Sequence, residues 1–184
     1  MDAPAERKAD WERQKAALSI LDLTQDTARH VFVARGTPQE YHAHPTTTML
    51  ADNRTILAVW NLGHGGHAGP MARSEDGGLT WRRVDDALPP NYSNFKNCPS
   101  LYRITDPQGK ERLWIFAART LTDKESPRDV PGRYQGYMPR VMSEDDGRTW
   151  RRASGYATLP VAHTRSGLQE PGLIELRDGV LVNR

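Results

Sequence analysis

The sequence predicts an all-β fold, a partial β-propeller of about two and a half four-stranded blades preceded by a short N-terminal helix. Three observations predict it. The pattern S-x-D-x-G-x-T-W occurs twice, at Ser74 to Trp81 and at Ser143 to Trp150; each copy is followed by Arg-Arg, and their starts lie 69 residues apart. Around each copy, four short β-like runs follow in the same order, divided by Gly, Pro, Asn and Asp. Three prolines, Pro45, Pro99 and Pro171, each open a run of the form P-x-x-x-x-[LI] that reaches Leu50, Ile104 and Leu176.

The first element predicted is a helix over 2–18, with Asp2 ahead of Pro4 and then Ala, Glu, Arg, Lys and Gln. Trp11, Leu18 and Leu21 give it one narrow apolar stripe, which suits an appended surface helix. Strands are then expected at 31–33, 46–50, 55–61, 69–74 and 80–84, with turns at Gly36-Thr37-Pro38 and Asp52-Asn53 and a Gly/His loop between the third and fourth of these runs. The order repeats at 100–105, 112–119, 138–143 and 149–153, and a third copy begins at 172–176 and 180–183. From proline to motif serine is 29 residues in the first copy and 44 in the second, the 15 extra residues falling in the loop around 121–137. A proline at a strand's first residue is tolerated because no ladder bond is required there.

The motif has the chemistry of a tight hairpin turn. Its short Asp accepts backbone N–H bonds, its Gly takes the positive φ that closes the turn, and its Trp opens the next strand and buries a large face. None of its residues is a natural proton carrier, so it reads as structural. With the strands of each unit labelled a to d, the motif is the c–d turn. Antiparallel order places it at the opposite end from the starts of a and the ends of b, where loops are available to bind a ligand. The Arg-Arg pairs fall on the outer strand, where charge blunts edge-to-edge pairing; a basic binding stripe is the alternative.

Composition narrows the function classes. A net charge of +2 from 25 Lys+Arg and 23 Asp+Glu, with no basic block interleaved with aromatics, argues against nucleic acid. The mean hydropathy of -0.72 and the lack of a long apolar run argue against a membrane span. Met1 is followed by charged residues rather than an apolar core, so the chain as written is expected in the cytoplasm, and in the periplasm or outside the cell if residues precede it. Cys98 is the single cysteine. It reads as a small buried hydrophobe, a nucleophilic role requiring a base beside it in space.

The two motifs resemble Asp-boxes, or BNR repeats, of the sialidase (neuraminidase) superfamily of six-bladed propellers. The stretch Gln169-Glu170-Pro171-Gly172-Leu173-Ile174-Glu175-Leu176-Arg177-Asp178-Gly179 resembles the sialidase segment in which a Glu begins a strand and an Arg closes the hairpin. Tyr41-His42-Ala43-His44-Pro45-Thr46-Thr47, Gly63-His64-Gly65-Gly66-His67 and Asn97-Cys98-Pro99-Ser100 are similar to a group of bacterial sialidase-like proteins. The resemblance covers residues 22–184, which it implies form a propeller incomplete at the C-terminus, with 1–21 as an extension.

Sialidases hold the substrate carboxylate with three arginines, use an Asp as acid/base and a Tyr supported by a Glu as nucleophile. Carried over, Glu170 matches the supporting Glu and Arg184 the second arginine. His44 stands where the first arginine is usual, and the loop that normally carries the acid/base Asp offers His64 and His67. The resemblance thus implies either an incomplete copy of the usual enzyme or a relative in which histidines carry the proton. Imidazole suits that work because its ordinary pKa lies near neutrality.

On the residues themselves, Arg119, Arg133 and Arg184 are candidates to bind a carboxylate, and Tyr134 or Tyr137 to stack on a sugar ring. His44 joins the substrate-binding set, and His64, His67 and Glu170 are the candidate acid/base groups. His42 and His44 in H-x-H spacing would share one strand face and, with His64 and His67, present four imidazoles within 26 residues. The four could ligate zinc, but with neither Cys nor a neighbouring Asp in that cluster the preferred reading is proton transfer, substrate bonding or plain structure, and no metal and no cofactor is expected. The expected function is a sialidase-like exo-glycoside hydrolase acting on sialic acid or another acidic sugar. The alternatives are a carbohydrate-binding propeller without turnover and a His-dependent glycosidase or polysaccharide lyase. Two and a half blades would leave a blade edge exposed, through which self-association is expected unless it is covered.

Overall fold

The structure is a computed structural model that describes residues 5–17, 22–64, 66–90, 92–120, 136–154, 157–158, 172–175 and 181–183. By its contacts the chain divides into two compact units, 1–31 and 32–184. The first contains the helix α1 (Ala5–Ala17), where Arg13 and Gln14 reach back one turn to Asp10, and a 3-10 turn at Thr27–Arg29. Trp11 is exposed, and no helix among the described residues is long and apolar enough to cross a membrane.

The second unit is β. Strands β1 (His42–Met49), β2 (Ile56–Leu62), β3 (Ala68–Ser74) and β4 (Arg82–Arg83) form one antiparallel sheet in chain order. Strands β5 (Lys96–Thr105), β6 (Glu111–Thr120), β7 (Gly136–Met138), β8 (Arg140–Ser143), β9 (Arg151–Arg152) and β10 (Ala157–Thr158) form the second. There β7 and β8 both pair with β6 on either side of Pro139, and β10 extends the sheet from β7. Strands β11 (Leu173–Glu175) and β12 (Leu181–Asn183) make a separate hairpin. Among the described residues the fold is thus mostly β with one short helix, and no sheet closes on itself.

The two sheets pack face to face. Alternation sends Leu57 and Val59 of β2 one way and Ala58 and Trp60 the other. Leu57, Val59 and Met71 meet Leu101, Leu113, Ile115, Val141 and Trp150 in a single buried cluster, each large side chain contributing about 1.5–3 kcal/mol. Polar bonds tie the same interface: the Thr46 hydroxyl donates to Pro99 O (3.0 Å) and accepts from Leu101 N (3.1 Å), and Arg73 Nη1 donates to Asp146 O (2.6 Å). Ala58, Trp60 and Ala72 form the outer face of the first sheet, covered by Val33, Ala34 and Trp81.

The two motif turns are built alike. In each, the Ser hydroxyl donates to the Asp (2.7 Å), the Asp accepts from the Thr backbone (2.9 Å) and hydroxyl (2.5 Å), and the Trp indole donates to the glycine carbonyl. Their surroundings differ. Trp150 is buried between the sheets, whereas Trp81 lies half-buried on the outer face. The Arg pairs of β4 and β9 are exposed and lie on edge strands.

Three expectations are corrected. Residues 31–33 form no strand: Val31 and Phe32 are exposed, and Arg35 lies over the Phe32 ring, because no described neighbour offers that segment a ladder. Pro45 and Pro99 do not open their strands but lie inside β1 and β5, at register shifts between Ala43 and Thr46 and between Lys96 and Ser100. A bulge leaves a residue out of the ladder, so the missing proline N–H is not called upon. The strands expected at 80–84 and 149–153 shrink to the Arg-Arg pairs, since the motif's own bonds hold the residues before them in the turn.

Candidate functional site

At the end of the sheets opposite the motif turns lie the start of β1, the end of β2 and the 63–67 loop. Local chemistry shapes this loop. Leu62 N bonds to His67 O (2.9 Å), Gly63 takes φ +69° while its N–H meets Tyr41 O (2.6 Å), and Asn61 Nδ2 donates to Gly63 O (2.5 Å). Gly66 is required outright, because a Cβ there would stand 1.7 Å from Leu62 O.

His44 is the residue that the bulge re-aims. It precedes Pro45 yet adopts φ +49°, and Cys98, preceding Pro99 at the corresponding bulge of β5, adopts φ +21°. Both are sparsely populated conformations for such residues, held by the ladder on either side. The consequence for His44 is a turn out of the strand alternation: its Nε2 lies 3.0 Å from His64 Nδ1, with ring centroids 4.8 Å apart and planes at 49°. His42 goes elsewhere. Its Nδ1 accepts from the Trp60 indole (2.8 Å), which fixes the proton on Nε2, 3.2 Å from Arg35 O. The expectation that His42 and His44 share a strand face is therefore overturned by the bulge at His44-Pro45, and His42 serves the outer face of the sheet.

His67 is held apart from the pair, with Nδ1 2.9 Å from Ser93 O, and lines a pocket of about 310 Å³ with Tyr92, Leu88, Pro89, Arg83 and Asp85. Arg83 and Asp85 are ion-paired, and Asp85 also accepts from Met71 N. The Tyr92 hydroxyl is buried without a hydrogen-bond partner among the described residues, and burial pushes its pKa up. Asn61 Oδ1 is likewise buried and unpartnered. The sequence offered only a tyrosine in a Pro/Asn-rich connection as a sign of Tyr92, so it was missed.

Of the other predicted residues, the backbone of Arg119 pairs with Tyr137 at the end of β6, in the second sheet. Glu170, Arg133, Tyr134 and Arg184 lie outside the described residues. Among the described residues no three His, Cys, Asp or Glu side chains gather into a metal-binding group. No family model matches the chain, and no curated protein matches it either.

Proposed function

We propose that the chain is a sialidase-like glycoside hydrolase of the β-propeller type, acting on an acidic sugar. The observation that carries the proposal is the Asp-box turn built twice with the same hydrogen bonds, on two face-to-face antiparallel sheets whose opposite end presents His44, His64 and His67. In this proposal Arg119, Arg133 and Arg184 bind the sugar carboxylate, Tyr134 stacks on the ring, and His44 helps to position substrate. Glu170 shares acid/base work with His67 or His64. The test is release of free sugar by the 184-residue chain from a panel of sialosides and uronates. Release that is lost in Glu170→Gln and His67→Ala while substrate still binds is the expected result.

A second reading, a carbohydrate-binding propeller without turnover, is favoured by the 63–67 loop, which holds imidazoles and no carboxylate where a sialidase keeps its acid. Saturable binding with no release from any member of the panel would select it.

A further inference from the structure

We infer that His44 and His64 form a two-histidine binding site for an octahedral or tetragonal divalent cation of the Ni²⁺ or Cu²⁺ class. Imidazoles bound through metal–nitrogen bonds of about 2.05 Å stand about 2.9 Å apart at a right angle and about 3.4 Å apart at the tetrahedral angle. The observed 3.0 Å corresponds to the right-angled arrangement. The rings agree: cis coordination puts centroids about 4.5–5.2 Å apart, whereas a collinear N–H···N bond puts them near 5.3 Å, and they are 4.8 Å apart. Without an ion the two nitrogens share one hydrogen bond, which a cation bridging them would replace with two metal–nitrogen bonds.

Three further features suit a cation there. His44 reaches the pair only through its positive φ at the β1 bulge, an arrangement that the flanking ladder holds in place before any ion arrives. His64 is exposed, so solvent can complete the coordination shell and the ion can exchange. Asn61 Oδ1, three residues before His64, is a buried side-chain oxygen without a hydrogen-bond partner among the described residues. Binding requires only that one proton move across its own ring, leaving His44 Nδ1–H and His64 Nε2–H, with no net release from neutral imidazoles. A bound ion would fix His64 as a hydrogen-bond donor and leave His67 as the proton carrier of the loop. The inference stands apart from hydrolase activity.

Calorimetric titration of the untagged chain with Ni²⁺ tests it. One saturable Ni²⁺ per chain is expected, weakened by about tenfold or more in both His44→Ala and His64→Ala, the scale on which metal sites respond to lost support. His67→Ala and His30→Ala should leave it unchanged, and Zn²⁺ should bind less tightly than Ni²⁺. No saturable binding, or binding that survives both alanine substitutions, overturns the site. Should either variant fail to fold, nitrogen NMR of the wild-type imidazoles on adding Zn²⁺ decides: His44 Nε2 and His64 Nδ1 must shift while both His67 nitrogens stay. Shifts confined to other histidines refute the inference.

Discussion

At the residue scale, the carboxylates of the turns do most of the local ordering. Asp76 is held at about 2, below its ordinary 3.8, first by the Thr80 hydroxyl and then by the Thr80 N–H and the Ser74 hydroxyl. Burial pushes Asp145 the other way, but bonds from Thr149 and Ser143 outweigh it and its pKa is also lowered. A folded-state pKa below the unfolded one means that the unfolded chain takes up the proton first on acidification. The stability these bonds give is therefore full above about pH 4 and is lost as pH falls towards 2. Urea midpoints measured from pH 7 to pH 2 should fall along this limb, and Asp76→Asn should flatten it by about one proton's worth of slope. A variant with the wild-type acid limb would show that Asp76 is not held by these bonds. His42 belongs to the same scale, as the acceptor that satisfies the Trp60 indole rather than as a site residue.

At the scale of the elements, two turns of one sequence pattern differ in what they touch. Gly78 and Gly147 occupy the same motif position and both have positive φ, +94° and +75°. A Cβ on Gly78 would meet nothing closer than Ile56 Cδ1 at 3.5 Å, but on Gly147 it would stand 2.5 Å from Leu57 Cδ1, a side chain fully buried in the neighbouring sheet. Both alanine substitutions force a Cβ into the positive-φ region, at more than about 1 kcal/mol. Gly147→Ala should be worse than Gly78→Ala by a further ~1–3 kcal/mol of overpacking, read from denaturant unfolding of the two variants. Equal losses would mean that the sheets do not press together at this turn.

The scale of the whole β unit asks whether the two sheets fold together. Met71 lies in the first sheet and Ile115 in the second, yet both are fully buried in one cluster. Met71→Ala and Ile115→Ala should each cost about 2–5 kcal/mol and lower the same single unfolding transition. Two separable transitions, each sensitive to one substitution, would make the sheets independent. On the far side of the second sheet, Trp114 and Phe116 stack beside Tyr102 and Arg140 in a groove of about 580 Å³, and Leu173 lines it while its N–H meets the Tyr102 hydroxyl (3.0 Å). The β11–β12 hairpin thus begins on the face where alternation along β6 leaves aromatics.

The sequence by itself determined the turns, the strand order and the end of the strands at which the histidines gather. Those follow from interactions within a few residues: Ser, Asp, Gly and Thr of one motif close their own turn, and short antiparallel runs then pair with their neighbours. It did not determine where His42 and His44 go, because period-two alternation assumes an unbroken ladder and the bulge at His44-Pro45 exists only once β1 is paired with β2. Nor did it separate Trp81 from Trp150 or pick out Tyr92. Burial at those positions is set by which sheet or connecting segment lies across the gap, and the tertiary structure alone decides that.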